Sequence, residues 1–467
     1  MLSNSYMKRQ LSIILLCFLS FWELYAQETK ILNPESYDLK PFLKEGFLLD
    51  DLSITAIGLG ASEDNPFWIY RNTNGQIDAE TNVAGFLHGG VSYYVSEKSY
   101  FEFGAGAIVS NGNKSAMRRD EFYLSYVNPW LKVTLGSKNP FKKYQGLSVV
   151  DKDFIVSGNA RALPGLVVEA PEPLMLSNTF SIDWAIAHYE LNDDRYVSNT
   201  RVHHKRLGLV VNLNNRSQLY GGIVHYAQWA GNSPDFGRLP ASFTDFIEVF
   251  FARGAEDNTV IGEGQNSLGN HLGLYNLEYN FTPSAGRFSF YHQHPFEDGS
   301  GSALKNFADG IWGFYFGPNT VDLDSFITGM LLEYVQTTNQ SREDRPDNYF
   351  VNGIYQSGWT YHHKTIGLPF IIPIGGDSIG FYNRTRAINV GLAARRANWS
   401  FKTKTSFAQN LGAYRVPIEP QEFAIYSYLN AAYTLESYGQ FSLLLGFDYS
   451  DQNKDTFGAG LEYKYSF

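Results

Sequence analysis

Apolar and polar residues alternate one by one along much of this chain, in runs of about ten. The last run is the clearest. Phe457, Ala459, Leu461, Tyr463, Tyr465 and Phe467 occupy one set of positions, and Gly458, Gly460, Glu462, Lys464 and Ser466 the other. Side chains of a β-strand point alternately to opposite faces, so each such run predicts a strand with one greasy and one wet face. Phe441, Leu443, Leu445, Phe447 and Tyr449 repeat the pattern, as do Trp399, Phe401, Thr403, Thr405 and Phe407 against Ser400, Lys402 and Lys404. Further rows run from Phe101 to Val109, from Phe180 to Ile186 and from Leu207 to Leu213. About ten residues is the length a tilted strand needs to cross a bilayer's hydrocarbon core.

The connections sort into two kinds. Short ones fall at Ser96–Lys98, Asn128–Pro129, Asn214–Asn215, Thr282–Ser284, Arg396–Asn398 and Ser437–Gly439. Long ones span Asn139–Leu163, Ala230–Gly269 and Asn339–Arg384. Short periplasmic turns and long extracellular loops characterise outer-membrane barrels, whereas structureless loops of that length are unusual in a compact soluble domain. Eighteen strands or so, from Asp51–Ser62 to 456–467, put every tight turn on one side and every long loop on the other. The expected fold is therefore all-β: a transmembrane antiparallel β-barrel of about 18 strands over 51–467, with long extracellular loops partly closing the lumen. Within one loop, Phe243, Phe246, Ile247 and Phe250 share a face of an amphipathic helix over Ser242–Arg253. A helix packed on the barrel wall as a plug is preferred to one that binds a partner.

Composition agrees. Aromatics make up 16% of the chain, and mean hydropathy is only −0.25. No segment after the N-terminus approaches the roughly 18 apolar residues of a membrane helix, but alternating strands average to just such a mild value. At the start, Lys8 and Arg9 precede an apolar stretch, Leu11 to Phe21, and Leu24-Tyr25-Ala26 precedes Gln27. That is the pattern of a signal peptide over 1–26, leaving 27–50 as a short periplasmic segment. Cys17, the sole cysteine, lies in the apolar stretch after Leu16, which is not the small residue a lipoprotein site needs. The mature chain then has no thiol for a disulfide, nucleophile or metal site. The formal charge is −10, and no Lys/Arg-rich run appears, which argues against nucleic acid as a partner.

Candidate chemistry collects on the predicted outer loops. Tyr291–Gly299 contains His292, His294, Glu297 and Asp298. His-x-His on a strand places both rings on one face, half of a metal site; no third ligand stands at suitable spacing unless Glu297 or Asp298 folds back, so polar loop residues are preferred and no metal is expected. Neighbouring carboxylates carry no information about the separation that glycoside hydrolysis requires. Trp229 follows His225, Trp312 follows Asp309-Gly310, and Asp347-Asn348 leads toward Trp359 and Tyr361. Aromatic faces that stack on sugar C–H surfaces, beside amides and carboxylates that bond hydroxyls, are the means of binding carbohydrate. Membrane-interface girdles give a similar composition. The carbohydrate-binding candidates are Trp229, Trp312, Asp347, Asn348, Trp359, Tyr361, His292, Glu297 and Asp298. No P-loop or zincin motif is present, and no catalytic residue, cofactor or enzymatic activity is expected. Tyr463, Tyr465 and Phe467 form the aromatic ending read by the barrel-assembly machinery during outer-membrane insertion.

An ordered set of segments resembles the Wzi family of outer-membrane capsule-assembly proteins, in its Bacteroidetes branch. They are Asn65–Trp68, His225–Trp229, Pro240–Phe246, Gly269–Gly273, Tyr291–Gly299, Asp309–Gly313, Asp347–His363 and Ile366–Pro369. The resemblance implies a monomeric barrel, surrounded by outer-membrane lipid, that holds capsular or extracellular polysaccharide at the cell surface. The segment before the barrel is too short for the periplasmic helical bundle of the enterobacterial branch. A porin-like channel for sugars or small solutes is the alternative, distinguished by an open lumen.

Overall fold

The computed structural model describes residues 46–113, 115–253, 267–319, 326–341, 346–374 and 380–467. The expected signal peptide lies outside them, as does most of the segment expected to precede the barrel. One sheet closes on itself through eighteen antiparallel strands. In chain order these are β1 Gly46–Ala61, β2 Val83–Ser96, β3 Ser99–Ser110, β4 Met117–Val127, β5 Lys132–Ser137, β6 Gly165–Glu169, β7 Phe180–Leu191, β8 Thr200–Asn214 and β9 Ser217–Trp229. They continue as β10 Asn270–Phe281, β11 Gly286–Phe296, β12 Gly310–Pro318, β13 Ile327–Gln336, β14 Arg384–Arg396, β15 Trp399–Gly412, β16 Pro417–Leu435, β17 Gly439–Ser450 and β18 Thr456–Ser466. Past a break, β6 resumes briefly at Leu174–Met175. The first strand begins at Gly46, five residues before the expected start, because Gly46 to Leu49 already pair with β2.

Closure is made by β1 against β18, from Ser53 opposite Ser466 to Ala61 opposite Gly458. A closed barrel leaves no unpaired edge, the one solution for strands in lipid, where water cannot satisfy a free N–H. The alternation sorts the wall as expected. Leu135, Leu207, Leu277, Leu332, Phe441 and Leu461 are among a large set of exposed apolar side chains. An apolar surface this extensive is untenable in water and natural in a bilayer. At the turn end, aromatic rings pair across strands: Phe101 with Tyr126, Trp399 with Tyr433, and Phe441 with Tyr463.

The interior differs from a simple polar lumen. The loop-end half is packed with apolar side chains. They come from three loops (62–82, 138–164 and 337–383) and from inward wall positions such as Val202, Val224, Tyr226, Leu274 and Val335. The first loop opens with the short helix α1, Phe67–Tyr70, whose Phe67 clusters with Tyr426 (4.4 Å) and Phe370 (5.4 Å), rings themselves 6.3 Å apart. Trp68 bonds Ser406 Oγ through Nε1 at 3.1 Å, and the Lys404 ammonium sits 3.8 Å from the centre of its ring.

Loop 138–164 runs down through the lumen. Wall residue Glu333, fully buried, holds it: Oε1 accepts from Ser148 Oγ and the Tyr291 hydroxyl, both at 2.6 Å, and Oε2 from the Val149 N–H at 2.8 Å. Loop 337–383 lies on loop 138–164, with Trp359 Nε1 donating to the Ile155 carbonyl (2.6 Å) and the Leu368 N–H to that of Phe154 (3.0 Å). Loops 62–82, 138–164 and 337–383 therefore fill the loop end of the barrel.

Candidate carbohydrate-binding site

The helix expected over 242–253 forms as α2, Phe243–Phe251, with Ser242 and Asp245 making a reciprocal capping box. It lies against the outer wall. Val249 and Phe246 pack on Ala227 and Trp229 of β9, whose side chains point away from Val224 and Tyr226 in the lumen. This is wall packing as expected, but from outside the cylinder rather than as a plug within it. Trp229 is 3% exposed beneath the helix.

The other aromatic candidates separate. Trp312 and His292 stack at 3.7 Å on the outer face of β11 and β12, beside exposed Phe290 and Leu332. His294 shares that face, and its ring nitrogens look onto the carbonyls of Asp309 and Gly301 rather than toward a metal. Among the described residues no group of three or more His, Cys, Asp or Glu could hold a metal ion. Trp359 and Tyr361 are fully buried inside the barrel. Trp359 packs on Tyr226, and the Tyr361 hydroxyl donates to Asn192 at 2.7 Å. Their local mixture of aromatic and amide groups belongs to the packed interior.

The polar candidates do converge, where loops 297–309 and 337–350 meet. Asp298 caps α3, Gly299–Ser302, accepting from the N–H groups of Ser300 (2.7 Å) and Gly301 (3.1 Å). Asp347 accepts from the hydroxyls of Ser300 and Ser341. Burial pushes its pKa up to about 6, aided by the negative charge of Asp298, while that of Asp298 is lowered because its hydrogen bonds outweigh a modest burial penalty. Glu297 accepts the Phe350 N–H at 2.7 Å and is raised well above the ordinary range by burial. Asn348 accepts from Asn383 Nδ2 at 2.7 Å. These groups chiefly join the two loops, and Asp298 is the one that remains exposed.

A second patch was not legible as a unit, because its residues come from three loops. Val197, Leu239 and Tyr355 form a small buried core joining loops 192–199, 230–269 and 337–383. Above it the Tyr196 hydroxyl donates to Asp235 at 2.6 Å, and Gln356 Nε2 donates to the same carboxylate at 3.4 Å. Tyr196 is also anchored through its N–H to Ser357 Oγ (2.9 Å), and Phe236, 40% exposed, stands beside Asp235. An exposed ring, a carboxylate and an amide on a rigid base are a set of groups suited to a sugar.

The profile of the capsule assembly protein Wzi family matches residues 60–390. Among solved structures, the barrel is similar to Wzi of Escherichia coli, an outer-membrane protein involved in group 1 capsule assembly and described as a carbohydrate-binding β-barrel. The TM-score is 0.58 at 14% identity, over 89% of this chain and 85% of that one. Pseudomonas aeruginosa OpdQ (TM-score 0.48, 8% identity, 89% and 97% covered) and OprD (0.47, 9%, 94% and 98%) are more distant. No curated protein matches. With the family match spanning well over half its length, the chain belongs to the Wzi capsule-assembly family of outer-membrane β-barrels.

Proposed function

We propose that this barrel binds or organises capsular or extracellular polysaccharide at the cell surface, through its loop end and without covalent chemistry. The observation that carries the reading is the convergence of Tyr196, Asp235, Phe236 and Gln356 on a base of buried side chains at the end of a filled cylinder. A platform already ordered before binding loses little entropy when a glycan settles on it. Family membership and the carbohydrate binding described for the Escherichia coli protein support the same reading.

Purified full-length chain in detergent micelles should retain capsular polysaccharide from its own producing strain above the level of an unrelated barrel. A Phe236→Ala, Asp235→Ala pair should weaken retention by roughly tenfold, the worth of one stacking and one hydrogen-bonding contact. Retention equal to the unrelated barrel would remove the reading. Steady, large unitary currents across a planar bilayer would favour the channel instead.

A further inference from the structure

A cavity of about 590 Å³ lies inside the barrel, between loop 138–164 and the inner wall of β5 to β9. It runs from Ile366 and Arg161 beneath the packed loops to Lys132 and Glu169 at the turn-end edge of the wall. Six cationic side chains line it, against the single carboxylate of Glu169. Four of the six have carboxylate partners: Lys132 with Glu169 (3.3 Å), Lys138 with Glu102 (2.8 Å), Lys143 with Glu278 (3.3 Å) and Arg206 with Asp183 (2.8 Å).

Lys152 and Arg161 differ. Among the described residues the Lys152 ammonium hydrogen-bonds the Tyr226 hydroxyl, at 3.3 Å, and feels the Asp153 carboxylate from beyond ion-pair range. The Arg161 guanidinium meets His362 Nε2 and the Arg119 carbonyl. Neither has a carboxylate in ion-pair range among the described residues. A cation facing a cavity walled by protein gains far more from an anion than one in open water.

The remaining lining is unlike that of a simple ion site. Val156, Ala160, Leu163, Val167 and Tyr189 give an apolar wall, and Phe141 is 87% exposed although it lies within the cylinder. Its loop is pinned across the lumen. Lys143 bonds Glu278, Gln145 donates to the Tyr315 hydroxyl (3.0 Å) and the Thr328 carbonyl (2.7 Å), and Tyr144 lies between Tyr291 and Tyr315. An open aromatic face held opposite unpaired cations suits a ring that carries both C–H surface and negative charge.

We infer that this cavity is a second, lumenal glycan site that takes an acidic sugar residue, its carboxylate between Lys152 and Arg161 and its ring against Phe141. The inference rests on the polysaccharide reading and adds a location and a sugar class to it. A phosphate group would meet the same two cations, so the test separates the two.

Full-length protein in micelles is titrated with oligogalacturonate, with a neutral hexose oligomer of equal length, and with inorganic phosphate. The acidic oligomer should bind at least tenfold more tightly than the neutral one and than phosphate. Lys152→Met and Phe141→Ala should each weaken it by about tenfold, while Arg161→Lys, which keeps the charge, should weaken it less than Arg161→Gln. Unchanged thermal unfolding in Lys152→Met excludes a folding defect. Acidic-oligomer affinity unaltered in a Lys152→Met, Phe141→Ala double variant would place binding elsewhere and overturn the inference. Phosphate binding tighter than the sugar would overturn it as well. Should the polysaccharide be retained while no acidic oligomer binds, the cavity assignment fails and the loop-end reading stands.

Discussion

Replacing Trp359 by alanine tests whether the loops inside the barrel are a true core. The ring is fully buried, packs on Tyr226 at 5.6 Å between centroids, and donates through Nε1 to the Ile155 carbonyl at 2.6 Å. Truncating a buried Trp to Ala costs about 3–5 kcal/mol through lost transfer energy and the cavity left behind. The freed Ile155 carbonyl adds about 1 kcal/mol or more if no water reaches it. A loss of about 4 kcal/mol in local opening free energy corresponds to roughly a thousandfold, at about 1.4 kcal/mol per factor of ten. Hydrogen exchange followed by mass spectrometry should show that acceleration at the Ile366 and Leu368 amides, whose bonds run to Trp359 and Phe154. Strands β15 to β17 should exchange as before. Trp359→Phe, which retains most of the packing, should produce a smaller change. Acceleration below about tenfold in Trp359→Ala, or acceleration spread evenly through the wall, would refute a cooperative interior core.

Two further outcomes follow from the same packing. Gly367→Ala would place a methyl group 2.4 Å from the Phe154 carbonyl oxygen and 2.6 Å from the Phe350 ring, so it should destabilise the interior by about 1–3 kcal/mol, read from exchange at the same amides. Asp347 has a folded-state pKa of about 6, raised from an ordinary 3.8. The folded loops therefore hold a proton that the unfolded chain has released, and the contribution of Asp347 to stability is fully present below about pH 4 and lost as pH rises through 6. Thermal unfolding at stepped pH should show a flatter profile in Asp347→Asn over that window; an identical slope would discount Asp347.

Much of the wall was legible because lipid enforces a two-residue period. The rows ending at Tyr449 and Phe467 face outward as read, and the tight turns share one end of the cylinder. The strand count also holds. What period and composition could not convey was the destination of the loops. Trp359 and Tyr361 sit among Tyr, Gln, Ser and His, a mixture that suits a sugar platform and a hydrogen-bonded interior equally well. Trp229 lies at the outward-facing end of β9, and only the position of α2 shows that it is covered. Asp235 and Gln356 are far apart in the chain and share one hydrogen bond, so no local spacing could associate them. Loop 138–164 was legible as long, but its passage past Glu333 depends on a partner nearly two hundred residues away.

The way the interior is stitched together bears on how the molecule comes to exist. Phe67 donates its N–H to Asp448, and Trp68 bonds Ser406, joining an early segment to strands near the other terminus. Contacts at such sequence separation form late, since a long stretch of chain must be drawn closed before they can reward it. The interior therefore cannot be finished until the two ends of the sheet have met. A nascent cylinder whose seam is still open has an unfinished centre as well, and zipping β1 to β18 and seating α1 are two faces of one late event.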